Sequence, residues 1–274
     1  MPRDFIKMHG LGNDFVIIDG RADSFLPDKE FCLAVADRHR GVGYDQLIVL
    51  GKPQDPAADL YMHLYNSDGS TTGACGNGTR CVSHLLFDET GKTRGVIQTS
   101  AGLLNVWQEE GSRIVSVDFG PPNLSWKEIP LAKEMDTLNV LMGMDDVPPA
   151  CCVNVGNPHA LFFVPDVAAV PLADLGPVLE HHALFPERCN IEFAQVLDRA
   201  HIRMRVWERG AGITESCGSG ASATLVAAVR RGLTDRKATI HLDGGDLMIE
   251  WREADDHVIL SGPTALSFTG TLTF

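Results

Sequence analysis

Apolar positions along the chain fall into two kinds of run. Short alternating stretches at 96–99 and 103–107 are separated by Ala101-Gly102 and predict strand, turn, strand. The arrangement recurs at 238–242 and 247–251 around Gly244-Gly245. Two longer runs predict helices. One opens at Cys75-Gly76-Asn77-Gly78 and closes at Gly91; the other opens at Cys217-Gly218-Ser219-Gly220 and closes at Gly232. Glycine is the residue a helix C-terminus favours. Residues 221–229 of the second are small and apolar nearly all round. Such a helix is buried on every side, so strands of its own half must wrap it.

These runs form a duplication. Cys217 follows Cys75 at an offset of 142 (217 − 75), and Gly262-Pro263 follows Gly120-Pro121 at the same offset, each pair closing a strand. Residues 62–66 match 204–208, 45–49 match 189–193, and Asn13 begins a stretch matched from Asn157. A period this long marks two similar domains rather than a solenoid. The expected fold is α+β, with two pseudo-symmetric α/β domains, each a curved sheet or barrel around a central helix. Residues 1–120 form the N-terminal domain and 121–263 the C-terminal one, with 123–150 as a less regular connection. The segment 264–274 alternates like a strand, has no counterpart after Gly120, and is expected to return to the first domain.

Composition narrows the class. The chain has 274 residues, 44% hydrophobic and 22% charged, as in a soluble globular protein. A net charge of -13 argues against nucleic acid or an anionic membrane surface as partner. No apolar run approaches the roughly 20 residues needed to span a bilayer. Val16-Ile17-Ile18 is too short for a signal-peptide core, so a cytoplasmic protein is expected. Seven cysteines, an odd number, fit reduced thiols better than a disulfide framework.

The chemistry lies at the two glycine-rich cysteine segments. The first turn of a helix offers unpaired N–H groups and about half a positive charge. A thiol there can have its pKa lowered, and a carboxylate can be bound. If the halves face each other, two thiols flank one carbon and two helix ends hold its carboxylate. One thiolate then removes a proton from one face while the opposite thiol supplies one to the other. The backbone N–H groups of Gly76, Asn77, Gly218 and Ser219 would hold the developing enediolate. The other cysteines, Cys32, Cys81, Cys151, Cys152 and Cys189, read as buried packing. Metal-ligand spacing and nucleotide-binding glycine loops are missing, so no cofactor and no metal are expected.

The segments 8–15 (Met-His-Gly-Leu-Gly-Asn-Asp-Phe), 65–70, 74–81 (Ala-Cys-Gly-Asn-Gly-Thr-Arg-Cys), 156–159, 208–212 and 216–220 resemble the diaminopimelate epimerase family. The likeness covers essentially the whole chain. It implies interconversion of LL- and meso-2,6-diaminopimelate without a cofactor, on the route to lysine and peptidoglycan, by a homodimer. It makes Cys75 and Cys217 the acid/base pair. Asn13, Gln46, Asn66, Asn157, Asn190, Glu208 and Arg209 would contact the substrate, with Gly76, Asn77, Gly218 and Ser219 at its reacting carboxylate. His159 and Glu208 would tune the cysteines' protonation. Ser219 stands where the family commonly has threonine, keeping the hydroxyl. The nearest rival is a proline or hydroxyproline racemase or epimerase of the same fold. Two others are a hydrolase using Cys75 as nucleophile with His159, and a non-catalytic amino-acid-binding module.

Overall fold

The computed structural model describes residues 2–273 apart from 74 and 110. Ala74, which opens the motif around Cys75, and Phe274, which ends the expected last strand, lie outside the described residues. The chain divides into two units. The first joins Met1–Val117 to Gly262–Phe274, and the second is Asp118–Ser261.

In the first unit the chain runs β1 (Arg3–Gly10), β2 (Asn13–Asp19), α1 (Lys29–Ala36), β3 (Gln46–Gly51) and β4 (Leu60–Asn66). It continues through α2 (Gly76–Thr90), β5 (Arg94–Thr99), β6 (Gly102–Gln108) and β7 (Ile114–Asp118). The last strand of the chain, β16 (Ala265–Leu272), lies beside β1, from Arg3 opposite Leu272 to His9 opposite Ala265. The sheet order is β16-β1-β2-β3-β4-β5-β6-β7. Strands that follow one another with no helix between them are antiparallel; β2/β3 and β4/β5, connected through α1 and α2, are parallel, as a crossover requires. Helix α2 packs on β1 and β2 and also on β5 and β6, so the sheet bends around it. The helix ends at Gly91, whose left-handed φ of 70° lets its N–H reach the Phe87 carbonyl at 2.8 Å.

The second unit repeats this plan. Its elements are β8 (Cys151–Asn154), β9 (Pro158–Phe163), α3 (Leu172–Glu180), β10 (Asn190–Asp198), β11 (His201–Glu208) and β12 (Gly212–Thr214). Then come α4 (Gly218–Arg230), β13 (Lys237–Leu242), β14 (Gly245–Trp251) and β15 (Val258–Pro263). The order is β15-β14-β13-β11-β10-β9-β8, with β12 on the side of β11. Parallel pairs again occur where helices intervene, at β9/β10 and β11/β13. Helix α4 touches β8, β9, β10, β11, β13 and β14, and its residues 220–228 are all buried. That is the environment its all-round apolar pattern requires.

The segment expected as a connection, 123–150, is not a linker. It has no helix or strand, yet Ile129, Leu131, Val140, Met142 and Val147 belong to the second unit's core with Phe162, Ile191 and Phe193. The last turn of α4 anchors it. Arg230 donates to the Thr137 hydroxyl at 2.9 Å, and Arg231 donates to the carbonyls of Leu138 and Pro149 at 2.9 and 2.8 Å. Among the described residues, no helix is long and apolar enough to cross a membrane.

Candidate functional site

In the first unit, β2 and β3 start, and β4 ends, at one edge of the sheet, because β2 and β3 are parallel and β4 runs back. That edge carries Asn13, Gln46 and Asn66. Gln46 Nε2 donates to Asn66 Oδ1 at 3.2 Å, and Asn66 Nδ2 donates to the Ser70 hydroxyl at 3.0 Å. Asn13 Nδ2 donates to Asp45 at 2.9 Å, while its Oδ1 accepts from Asn77 Nδ2 at 3.1 Å and contacts Cys75 Sγ at 3.9 Å. Cys75 is the N-cap of α2 in extended conformation (φ -151°), with Gly76 and Asn77 opening the helix. A Cβ on Gly78 would lie 3.0 Å from Ile48, so this glycine serves the helix's approach to its own sheet.

Behind these residues lies a charge cluster. Asp14 takes Lys7 and both ends of the Arg38 guanidinium. Although burial raises its carboxyl, the bonds from Arg38 and Lys7 bring it down to about 2. Arg80, one turn into α2, is fully buried, and none of its three guanidinium nitrogens has a hydrogen-bond partner. Burial lowers its pKa to about 10, opposed by attraction to the thiols of Cys81 and Cys75.

The second unit presents the corresponding edge. Asn157 precedes β9, Asn190 opens β10, Glu208 closes β11, and Cys217 caps α4. Asn190 is committed to the backbone: it donates to the Pro158 carbonyl and accepts from Arg209 N, each at 2.9 Å. Arg209 is exposed; its Nη1 donates to the Glu187 carbonyl at 3.1 Å, and among the described residues no carboxylate pairs with it. Cys217 Sγ accepts from Gly220 N at 3.3 Å and lies 3.5 Å from the Ser219 hydroxyl. The Glu208 carboxylate accepts from the Thr214 hydroxyl, and its charge acts on the Cys217 thiol. Burial pushes the Glu208 carboxyl up.

One expectation changes here. A helix N-terminus was expected to lower a cysteine pKa, but the Cys217 thiol lies well above its ordinary value. Burial is the main cause, with repulsion from Glu208 and Glu192 adding to it; the bonds from Ser219 and Gly220 only partly offset them. His159 lies inside β9 and is fully buried. Its Nδ1 is 2.6 Å from Glu192 Oε1 and its Nε2 is 2.9 Å from Asn157 Oδ1.

The sequence reading missed Glu192 and Arg80. Each had a signal: a lone charge within an otherwise apolar buried run, Ile-Glu-Phe-Ala over 191–194 and Thr-Arg-Cys-Val over 79–82. Buried cysteines other than Cys217 behave as packing. Burial raises the thiols of Cys81, to about 12, and of Cys152 and Cys189. Among the described residues no cluster of three or more His, Cys, Asp or Glu is arranged to hold a metal.

Solved structures share the fold. A phenazine biosynthesis protein of the PhzF family from Bacillus anthracis superposes with a TM-score of 0.72 at 15% identity, covering 100% of both chains. A hydroxyproline epimerase from Agrobacterium vitis gives 0.71 at 14%, covering 99% of this chain and 92% of its own. Sequence relatives are far nearer. A diaminopimelate epimerase from Rhodospirillum centenum is 58% identical over 99% of this chain and 93% of its own length. One from Phenylobacterium zucineum is 53% identical over 99% and 98%. The family model for diaminopimelate epimerase matches residues 5–125 and 151–266, spanning both cysteine-capped helices and every asparagine, glutamate and arginine placed above. This chain belongs to the diaminopimelate epimerase family.

Proposed function

We propose that this protein interconverts LL- and meso-2,6-diaminopimelate by passing protons at one α-carbon through Cys75 and Cys217, using no cofactor or metal. The observation that carries the reading is the pair of cysteines capping glycine-opened helices in two halves of one topology, in a chain 58% identical to a diaminopimelate epimerase. A single base would tend to return the proton to the side it left. Two thiols avoid this: one removes the proton and the other supplies its replacement.

The α-hydrogen beside a carboxylate is a weak acid, and no electron sink spreads the charge. The N–H groups of Gly76, Asn77, Gly218 and Ser219 hold it at the helix ends, where one preorganised donor is worth about 2.7 to 4 kcal/mol. The surroundings differ. Arg80 attracts a charge on Cys75, whereas burial, with repulsion from Glu208 and Glu192, pushes the Cys217 thiol up. In one direction Cys75 removes the proton and Cys217 supplies its replacement, with Glu208 ready to accept the Cys217 proton in the reverse direction. Arg209 offers its guanidinium to the distal carboxylate, and Asn13, Gln46, Asn66, Asn157 and Asn190 select the configuration of the amino-acid ends.

The protein acts as a cytoplasmic homodimer. In support, the edge strand β16 exposes Leu266 and Phe268, apolar groups that a partner would cover. Sedimentation velocity at micromolar concentration reads the oligomeric state directly. The activity is tested in deuterated water with LL-diaminopimelate and L-proline as separate substrates. Deuterium is expected at the α-carbon of diaminopimelate alone. Exchange only into proline overturns the substrate, and no exchange by reduced protein overturns the reaction. A likeness at 14% identity to a hydroxyproline epimerase supports the fold and does not favour proline.

A further inference from the structure

Glu192 is a buried carboxylate whose one part so far is its repulsion of a charge on Cys217. It sits in β10 with no solvent exposure, and its Oε2 has no hydrogen-bond partner. Its one bond is from Oε1 to His159 Nδ1, at 2.6 Å; His159, also without exposure, reaches Asn157 Oδ1 through Nε2 at 2.9 Å. Oε1 also presses on α4, where a Cβ on Gly220 would lie 2.8 Å away. Carboxylates are seldom fully buried, because desolvating the charge is costly. A fully buried one holding a single histidine therefore calls for a role.

The hydrogen-bond directions supply it. An amide oxygen only accepts, so the His159–Asn157 bond places a hydrogen on Nε2. The proton on the other side of the ring lies between Nδ1 and Oε1. Whether imidazole or carboxyl holds it, the pair stays neutral and Nε2 keeps its hydrogen. Asn157 is then locked with its oxygen toward His159, which leaves its NH2 for another partner; the residue is only partly buried. Without Glu192 the ring can carry its hydrogen on Nδ1 instead. Nε2 would then become an acceptor, the amide would turn over, and Asn157 would present oxygen where it now presents a donor.

We propose that Glu192 is a positioning residue that holds His159 in its Nε2–H form and so aims the Asn157 NH2 at an acceptor oxygen of the bound amino acid. The inference rests on the reading of Asn157 as a substrate contact.

The test joins spectroscopy to kinetics. In protein labelled with 15N-histidine, His159 is expected to carry hydrogen on Nε2; an Nε2 without hydrogen in the wild-type protein overturns the proposal with no variant needed. Glu192→Leu is expected to populate the Nδ1–H form. It should also raise KM for diaminopimelate about ten- to a hundredfold, the value of a hydrogen bond to a charged group, with a smaller change in kcat. Glu192→Gln, whose amide can still donate to Nδ1, is expected to restore the Nε2–H form and most of the lost KM. Glu192→Leu with wild-type KM, or Glu192→Gln impaired as deeply as Glu192→Leu, overturns the proposal. If Glu192→Leu does not fold, the wild-type spectrum and the KM of Glu192→Gln decide. Asn157→Ala separates the two layers: wild-type KM there refutes the substrate contact itself, whereas a raised KM beside an unaffected Glu192→Leu refutes only the role of Glu192.

Discussion

At the scale of single residues, the two cysteines were legible because each is flanked by glycines in a duplicated pattern. Their electrostatic settings were legible only in part: the resemblance named Glu208, but Arg80 and Glu192 went unnoticed. Glu192 reaches Cys217 from β10, with β11 and β12 between them in the chain. Replacing either cysteine with alanine is expected to abolish deuterium exchange into diaminopimelate, and a near-wild-type rate in either variant contradicts the two-thiol scheme. Glu208→Gln gives a pH test with a definite sign. The Glu208 charge helps to hold the Cys217 proton, so its removal lets Cys217 ionise at lower pH. The alkaline limb of the forward reaction, where Cys217 must be a thiol, should move toward acid; an unmoved or more alkaline limb contradicts the assignment. Arg80→Met separates charge from packing. A buried cation without hydrogen bonds weakens the fold, and an apolar replacement of similar volume is often neutral or stabilising. Thermal melting should therefore be no lower than wild type, while turnover falls roughly tenfold or more because an opposite charge near a thiolate is worth about one to three pKa units. Unchanged turnover would remove Arg80 from the account.

At the scale of elements, the helix boundaries followed from local chemistry, while the reason for individual glycines did not. Gly91 ends α2 at φ 70° with nothing within 4 Å of an added Cβ, so Gly91→Ala meets only backbone strain. Gly220 lies within α4, where an added Cβ would strike Glu192 Oε1 at 2.8 Å and stand 3.3 Å from Cys217 Sγ. In urea titration Gly91→Ala should lose about 1 kcal/mol with kcat retained. Gly220→Ala should lose about 1 to 3 kcal/mol and also impair turnover, since the atoms that must move are those beside the reacting sulfur. Equal kinetics in the two variants would contradict this distinction. Sequence alone grouped both glycines as punctuation, because a close approach between α4 and β10 has no local signature.

At the scale of the whole molecule, the second unit is one continuous segment, whereas the first needs its last strand from the far end of the chain. A fragment of residues 118–261 should fold alone, with cooperative melting by circular dichroism. A fragment of residues 1–117 leaves β1 without β16 and should melt lower and less cooperatively; the reverse order of stability would contradict the division. The sequence by itself determined the duplication, the two wrapped helices and the cysteines at their tips. Hydrophobic periodicity and capping glycines are local physical requirements, so they are written locally. Tertiary structure alone decided that residues 123–150 build core rather than span a gap, since that depends on apolar side chains meeting Phe162, Ile191 and Phe193. It also decided that burial beside two carboxylates pushes the Cys217 thiol up and that His159 lies against Glu192. Burial and the distance between charges fix a proton's place, and both arise only when separate strands have packed.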